Sequence, residues 1–403
     1  MRRSDSRASN SMNVQETDRS GLERSIPTTS GRAATWLAYG TILTGASAFA
    51  SLPAAPATES NSGAVLRFER STTMATSLTL AEQHSLEMRS LVLEVGDAEP
   101  EESPVKLHVW SGALSYVVDQ IDPKTGLLCR RYDRSKGVIQ SGRIDETGQE
   151  YRGPEMPLVS PLEDIGVAFT PKLDAPDGYA RHYDSALSLN ETLLPRLAAP
   201  RDWGALLPPV GENGQAQSVE LGDEWSVAPA ALICALSPTG NLLFEGSEGM
   251  EPRMFRVHSH GVGGNLHLGF LGDVDGAAKA RFQLQGIDPL HGRFAEIEIE
   301  FELDLSTDPA KSIRGDRVTP VADGDVLGAN LEQSFRGTVT LRWALDSNGP
   351  LSCVTACDES VLLAVQMSSP DGTLSRQTVS MDGSLDVSVI FDEVPLRRTA
   401  RDQ

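Results

Sequence analysis

Hydrophobic and polar residues alternate one for one over long stretches of this chain, most cleanly at 294–305. There Ile297, Ile299, Phe301, Leu303 and Leu305 take one phase, and Glu296, Glu298, Glu300, Glu302 and Asp304 take the other. A period of two puts successive side chains on opposite faces, so this segment predicts a strand with one dry and one wet side. Residues 335–345 repeat the pattern, with Phe335, Val339, Leu341, Trp343 and Leu345 on the dry phase. Leu66 and Phe68 alternate with Arg67 and Glu69, and a Thr-rich run follows to Thr79. Leu86 and Met88 alternate with Glu87 and Arg89 until the phase slips near Ser90-Leu91, where a bulge is expected. Shorter runs predict strands at 105–109, 112–121, 127–132, 167–170, 179–183, 256–260, 265–270, 277–287, 361–367, 374–380 and 385–391. Asp122-Pro123-Lys124-Thr125-Gly126, Asn348-Gly349, Asp371-Gly372 and Asp382-Gly383 supply the positive φ that tight hairpins demand. Residues 97–104 are expected to be an acidic loop, 134–158 a long irregular excursion, 273–276 a turn and 306–332 a polar loop. That makes about a dozen strands, nearly all antiparallel by the length of their connections.

One stretch, 219–246, breaks the pattern. A Gly222-Asp223 turn leads into a strand carrying Trp225, and Pro229 then opens a short apolar helix to Leu236. Proline is tolerated in a first helical turn, where its missing N–H has no partner anyway. Ser237-Pro238-Thr239-Gly240 stops the helix. Being apolar all round, this helix should be buried. A second helical candidate follows Asn190, a suitable N-cap, through 191–194, and continues loosely past Trp203 to Leu206-Leu207. The expected fold is therefore mainly β: a large curved antiparallel sheet or half-barrel, with two short central helices packed on its concave face.

Several short motifs point the same way. SPLED at 160–164, VAFT with its hairpin, ALLPPV at 205–210 and LGDEWSV before the short helix come in that order, and Gly337 through Asp346 and Gly349 follow late. Together they resemble a family of uncharacterised exported bacterial β-rich proteins with a central LLP…GD-x-W pattern. The likeness spans about 64–392, departing at Ile165-Gly166, where the family's glycine is displaced. It implies export and a β-rich fold and carries no activity; Gly222, Asp223, Trp225 and Pro229 are read as structural from their places in the turn, the strand and the helix start.

Composition adds location and exclusions. Residues 33–58 carry no charge, and within them 33–50 are apolar but punctuated by Thr, Gly and Ser. Arg24 and Arg32 precede that run, and Ala48-Phe49-Ala50 or Ala55-Pro56-Ala57 offers small-x-small spacing for signal cleavage. We therefore expect a disordered n-region at 1–32, a signal core at 33–50, a linker at 51–63 and a β-rich domain at 64–395, divisible into 64–210 and 211–395. Export to the periplasm or beyond follows; one retained N-terminal membrane span is the alternative, although the core is short of the roughly 20 residues a span needs. A net charge of −21 excludes nucleic acid, whose phosphates require Lys and Arg. A monomer is expected.

Candidate chemistry is sparse. His258 and His260 would share one strand face, with His267 on the next strand, an arrangement that three-His zinc sites use. No fourth ligand is fixed by the sequence, and no cofactor is expected. Asp273-Val274-Asp275-Gly276 and Asp323-Gly324-Asp325 do not continue into a calcium-loop order. The glutamates at 296–304 are expected on a solvated strand face. Gly-x-Ser-x-Gly, phosphate-loop and dinucleotide fingerprints are missing. The four cysteines allow three pairings; Cys353 and Cys357 would lie about 13 Å apart in a straight strand, pairing only across a turn. Cys234 is expected to be a small buried hydrophobe. These observations lead to an exported non-catalytic binding or structural module, with an unknown protein or a hydrophobic ligand as its partner. The alternatives are a periplasmic carrier similar to lipoprotein carriers, and a metal-dependent hydrolase built on the three histidines.

Overall fold

A computed structural model describes residues 63–68, 74–103, 107–122, 125–145, 147–159, 165–172, 179–183, 199–200, 202–209, 218–238, 245–246, 273–307, 325–369 and 371–395. All of them belong to one compact unit, Gly45–Gln403. The strands are β1 (Ala64–Val65), β2 (Met74–Val95), β3 (Glu101–Ser103), β4 (His108–Ile121), β5 (Leu128–Ile144), β6 (Glu150–Arg152), β7 (Met156–Val159), β8 (Ile165–Pro171) and β9 (Tyr179–Tyr183). After a 3₁₀ turn at Trp203–Leu206 come β10 (Ser218–Val219) and β11 (Glu224–Val227). A second 3₁₀ turn, Pro229–Leu232, runs directly into helix α1 (Ile233–Leu236). Then follow β12 (Glu245–Gly246), β13 (Asp273–Asp288), β14 (Gly292–Thr307), β15 (Asp325–Ala344), β16 (Gly349–Ser368) and β17 (Leu374–Pro395).

Fifteen strands form one sheet whose main path is β11-β13-β14-β15-β16-β17-β2-β4-β5-β7-β12. Every pairing in it is antiparallel. The molecule is mainly β with few helices, and its sheet is not closed into a barrel. The alternation predicted for β14 holds: Ile297, Ile299, Leu303 and Leu305 are buried while Glu300, Glu302 and Asp304 are exposed on the other face. The bulge expected near Ser90 is present, since Arg89 is skipped where Ser380 pairs with Ser90 and Met381 with Met88.

The sheet must curve. Pro229–Leu232 packs against β13, while the Pro238 carbonyl two residues past α1 accepts from Arg130 Nη1 of β5 at 2.9 Å. Those two strands are seven steps apart along the sheet. Laid flat they would be separated by about 34 Å, whereas ten residues of helical chain span only about 15 Å. Only a sheet bent around the helical segment brings both within reach. Trp203–Leu206 and Pro229–Leu236 thus form a plug on the concave side. Leu206, Leu232, Ala235 and Leu236 are fully buried, in one apolar cluster with residues of β2, β4, β5, β8 and β13 through β17.

Several local expectations fail, each for a physical reason. Asp382-Gly383 is no hairpin: both lie inside β17, and a Cβ on Gly383 would sit 1.7 Å from the Ser85 carbonyl oxygen of β2. Glycine there permits close approach of two strands rather than a reversal. Residues 273–276 likewise belong to β13, where Gly276 (φ 131°) lies against the Glu302 backbone. The excursion expected over 134–158 is largely β5 continuing to Ile144, with β6 and β7 following it. A register shift between Tyr116 and Val117 leaves Asp133 extra and flips the strand's phase, which hid the alternation. The acidic loop at 97–104 contains the short strand β3, and Ser306 and Thr307 still belong to β14. The hairpins at Gly126, Asn348 and Gly372 stand, all three with positive φ. The helix expected over 191–194 and the strands expected at 256–260 and 265–270 fall outside the described residues.

Candidate functional site

Between the plug and the far end of the sheet, the inward-facing rows turn polar. On β2 the sequence Leu78, Leu80, Glu82, His84, Leu86, Met88 keeps one phase and is buried throughout. His84 Nε2 meets Glu82 Oε1 at 2.7 Å, and Nδ1 meets Glu359 Oε2 of β16 at 3.0 Å. Glu359 Oε1 in turn accepts from Gln333 Nε2 of β15 at 3.1 Å. The link from β2 to β16 passes over β17, where the residue sharing that row is Gly383, cross-strand from both Glu359 and Leu86. A side chain there would run into the β2 backbone at Ser85 and Leu86. Glu359 is 1 % exposed and His84 6 %.

Burial by itself drives a histidine toward its neutral form, but the Glu359 carboxylate, helped by Glu82, more than reverses this. The His84 pKa is raised from 6.5 to about 10, so the ring is an imidazolium at neutral pH. A metal is not what this arrangement suits, because both ring nitrogens already face carboxylates and a ligand needs a free lone pair. Among the described residues no group of three or more His, Cys, Asp or Glu could hold a metal ion.

A second buried ion pair fixes the plug. Arg130 donates to Asp119 through Nε at 2.7 Å and Nη2 at 2.8 Å, a two-pronged contact, while Nη1 reaches Pro238. From the middle of the sheet Thr355 Oγ1 donates to the Ala235 carbonyl at 3.1 Å. Trp225 Nε1 donates to the Leu206 carbonyl at 3.1 Å, and the Asp202 carboxylate caps Gly204 N–H at 2.9 Å. Trp203 stands edge-on to Phe391, ring centres 4.8 Å apart. Beside it opens a cleft of about 40 Å³, walled by Phe68, Leu78, Ile121, Leu128, Trp203 and Phe391 with Asp119 at its edge. That is space for a few waters rather than a lipid chain.

On the outer face Ser85 Oγ lies 2.9 Å from His108 Nε2. Burial lowers the His108 pKa, giving a neutral base beside a hydroxyl. Yet among the described residues its Nδ1 has no hydrogen-bond partner, so none of them orients the base as a nucleophilic relay requires. Cysteine chemistry is also poorly served. Cys353 and Cys357 share the unbroken strand β16, with no turn to bring them together. Burial pushes the Cys353 thiol up to about 12 and raises that of Cys357 as well. Thiols so held are poor nucleophiles.

Of the residues singled out in the sequence, His258, His260 and His267 fall outside the described residues. Gly222 (φ 91°) and Asp223 make the expected turn, in which Asp223 N–H reaches the Glu220 carbonyl and its side chain accepts from Glu220 N–H. Trp225 is buried and Pro229 occupies the first helical position. SPLED at 160–164 also lies outside the described residues, whereas Ala205 and the leucines after it belong to the plug. Glu82, His84, Gln333, Glu359 and Arg130 were missed. The signal for the first four was a polar residue standing on the apolar phase of a strand, legible once the phase of β2, β15 and β16 is followed through.

No protein-family model matches the chain, and no curated protein does. Among solved structures, OccK7 (OpdD) of Pseudomonas aeruginosa aligns at 7 % identity over 79 % of this chain and 99 % of its own, with a TM-score of 0.17. A triple mutant of the Rhodopseudomonas blastica porin aligns at 10 % identity over 77 % and 99 %, TM-score 0.12. A BenF-like porin from Pseudomonas fluorescens Pf-5 gives 8 % identity, 79 % and 99 %, TM-score 0.13. Likeness this slight carries no inference about fold or function, and the antiparallel architecture rests on the chain's own strand pairing.

Proposed function

We propose that this is an exported, non-catalytic β-rich protein of the cell envelope that works by binding a protein partner on the outside of its curved sheet. The observation that supports this reading is the occupied concave face. The plug's Leu206, Leu232, Ala235 and Leu236 fill it with no exposed surface, and the neighbouring cleft is about 40 Å³. A vessel for a hydrophobic cargo needs a cavity of a few hundred Å³. Export rests on the uncharged stretch at 33–58 with its preceding arginines. Native mass spectrometry of the purified full chain tests the binding mode. The expected spectrum is the bare protein; an acyl ligand carried at one per chain would overturn the reading in favour of a carrier.

The carrier remains the second reading because of one observation. The cleft beside Trp203 has apolar walls and lies against the plug, so outward movement of Trp203–Leu206 would lengthen it into the concave face. A Trp203→Ala variant that acquires a lipid adduct, where the wild type has none, favours that reading.

A further inference from the structure

Four hydroxyls on the concave side are buried without a hydrogen-bond partner among the described residues: Ser115 of β4, Tyr132 and Ser135 of β5, and Ser237, which follows α1. None of the four residues is more than 3 % exposed. Ser115 stands opposite Ser135 across the two strands, and Val117 stands opposite Tyr132 in the next inward row. Directly opposed side chains have Cβ atoms about 4.5–5.5 Å apart, a gap that one bridging water can span. Ser237 is held over these strands because the chain on either side of it is tied down. Thr355 of β16 donates to the Ala235 carbonyl, and Arg130 of β5 donates to that of Pro238. The row on the other side of the two serines pairs Ala113 with Gly137. Ser, Ser, Ala and Gly therefore fill two inward rows where the adjoining β2 has Leu80 and Glu82. Ala113 keeps accessible surface although the Glu82 opposite it is buried. These small side chains leave a dent at the border between the plugged core and a second apolar cluster, which includes Leu86, Val109, Ile139 and Met381.

We infer that this dent is a hydration site, in which a small group of ordered waters bridges Ser115, Ser135 and Ser237 and joins the plug to β4 and β5. A buried hydroxyl left unpaired is costly, and folded proteins satisfy nearly all such groups. Four of them on adjacent rows and under one turn of chain call for a shared partner that both donates and accepts, as water does. Charge on the flanks favours a neutral occupant. Toward the plugged end stands Arg130 with Asp119, and toward the other stands His84 with Glu82 and Glu359, so each flank carries both signs. Burial pushes the Tyr132 hydroxyl up to about 12, while Arg130 acts against this from close by but outside hydrogen-bond geometry. The phenol is thus a neutral donor at the edge of the site. An apolar occupant would leave every one of these hydroxyls unpaired. The end of the plug is then held directly by Thr355 and Arg130, and through water between them.

The double variant S115A/S135A tests the sign of the effect. Removing hydroxyls bonded to water should lower the melting temperature of the full-length protein by about 2 °C or more, whereas removing dry, unpaired hydroxyls should leave it unchanged or raise it. A crystal structure of the wild type tests occupancy whether or not that variant folds, provided that it shows ordered solvent and that bromide replaces chloride in the crystal. The expected result is a water within about 2.6–3.2 Å of both the Ser115 and the Ser135 hydroxyls, with no anomalous bromide signal there. A melting temperature unchanged or raised in S115A/S135A, serine hydroxyls bonded directly to each other or to another part of the chain, or a bromide peak in the dent would each overturn the inference.

Discussion

Strands β2, β15, β16 and β17 carry the same inward-facing rows through two cores, and the two are closed by different means. Toward one end the rows meet Trp203–Leu206 and Pro229–Leu236, which bring their own apolar side chains and are pinned by Arg130, Thr355 and Trp225. Toward the other, among the described residues, they meet only one another. A wide sheet cannot bury its concave face by bending alone unless its two arms touch, so a helical insert is what allows the first end to be broad. The second end is held by self-contact and by the polar chain at the border. The lesson is that burial does not say how firmly a region is held: Leu236 and Met381 are both fully buried, with different reasons for being so.

This contrast can be tested by substitution, beginning with the strongest anchor. Arg130→Met strands Asp119 without its partner and removes the donor to Pro238; it should cost about 3–5 kcal/mol in denaturant unfolding, and a loss below about 1 kcal/mol would mean the plug stays in place without it. Leu236→Ala should cost about 2–5 kcal/mol through its cavity and loosen the plug. Met381→Ala, of similar magnitude, should leave exchange protection of 229–236 as it was; equal loosening of both regions would erase the distinction between them. Stability of the wild type should fall between about pH 6.5 and 10, because the folded-state pKa of His84 is raised above its unfolded value. Its contribution is complete below the lower value and gone above the upper one. The slope, on the order of 1 kcal/mol per pH unit at most, should vanish from the pH-dependent unfolding of E82Q/E359Q. Gly383→Ala forces the β2 and β17 backbones apart and should cost about 1–3 kcal/mol, chiefly at the border. Leu362→Thr, on the exposed face of β16, should change the melting profile by less than about 0.5 kcal/mol.

Much of the architecture was written in the alternation. β14 and the half of β15 from Phe335 could be placed because their two faces differ, whereas 325–332, expected as part of a polar loop, is the first half of β15; the bulge at Arg89 showed as a slip of phase. The short helix was visible because Pro229 starts it and no polar residue interrupts it before Ser237. β5 was obscured because its inward positions include Ser135 and Gly137, and because the extra residue at Asp133 inverts the phase midway. Asp382-Gly383 misled because the dipeptide that makes a hairpin also makes a strand thin enough for a neighbour to approach. The buried polar chain was harder still. Glu82 and His84 are unremarkable as a sequence, and Glu359 lies 275 residues from His84. Their meeting depends on strand order, which local pattern does not encode.

That order has a temporal meaning too. The seam between β2 and β17 joins Met74 to Pro395, so its first partner is synthesised hundreds of residues before its second. Pairings between such distant segments form late and slowly, since a long loop must close before any contact rewards it. A polypeptide whose central seam cannot zip until its far end has arrived stays pliable in the interval. For a chain that is threaded through a narrow channel before it folds, delay of this kind would keep it threadable.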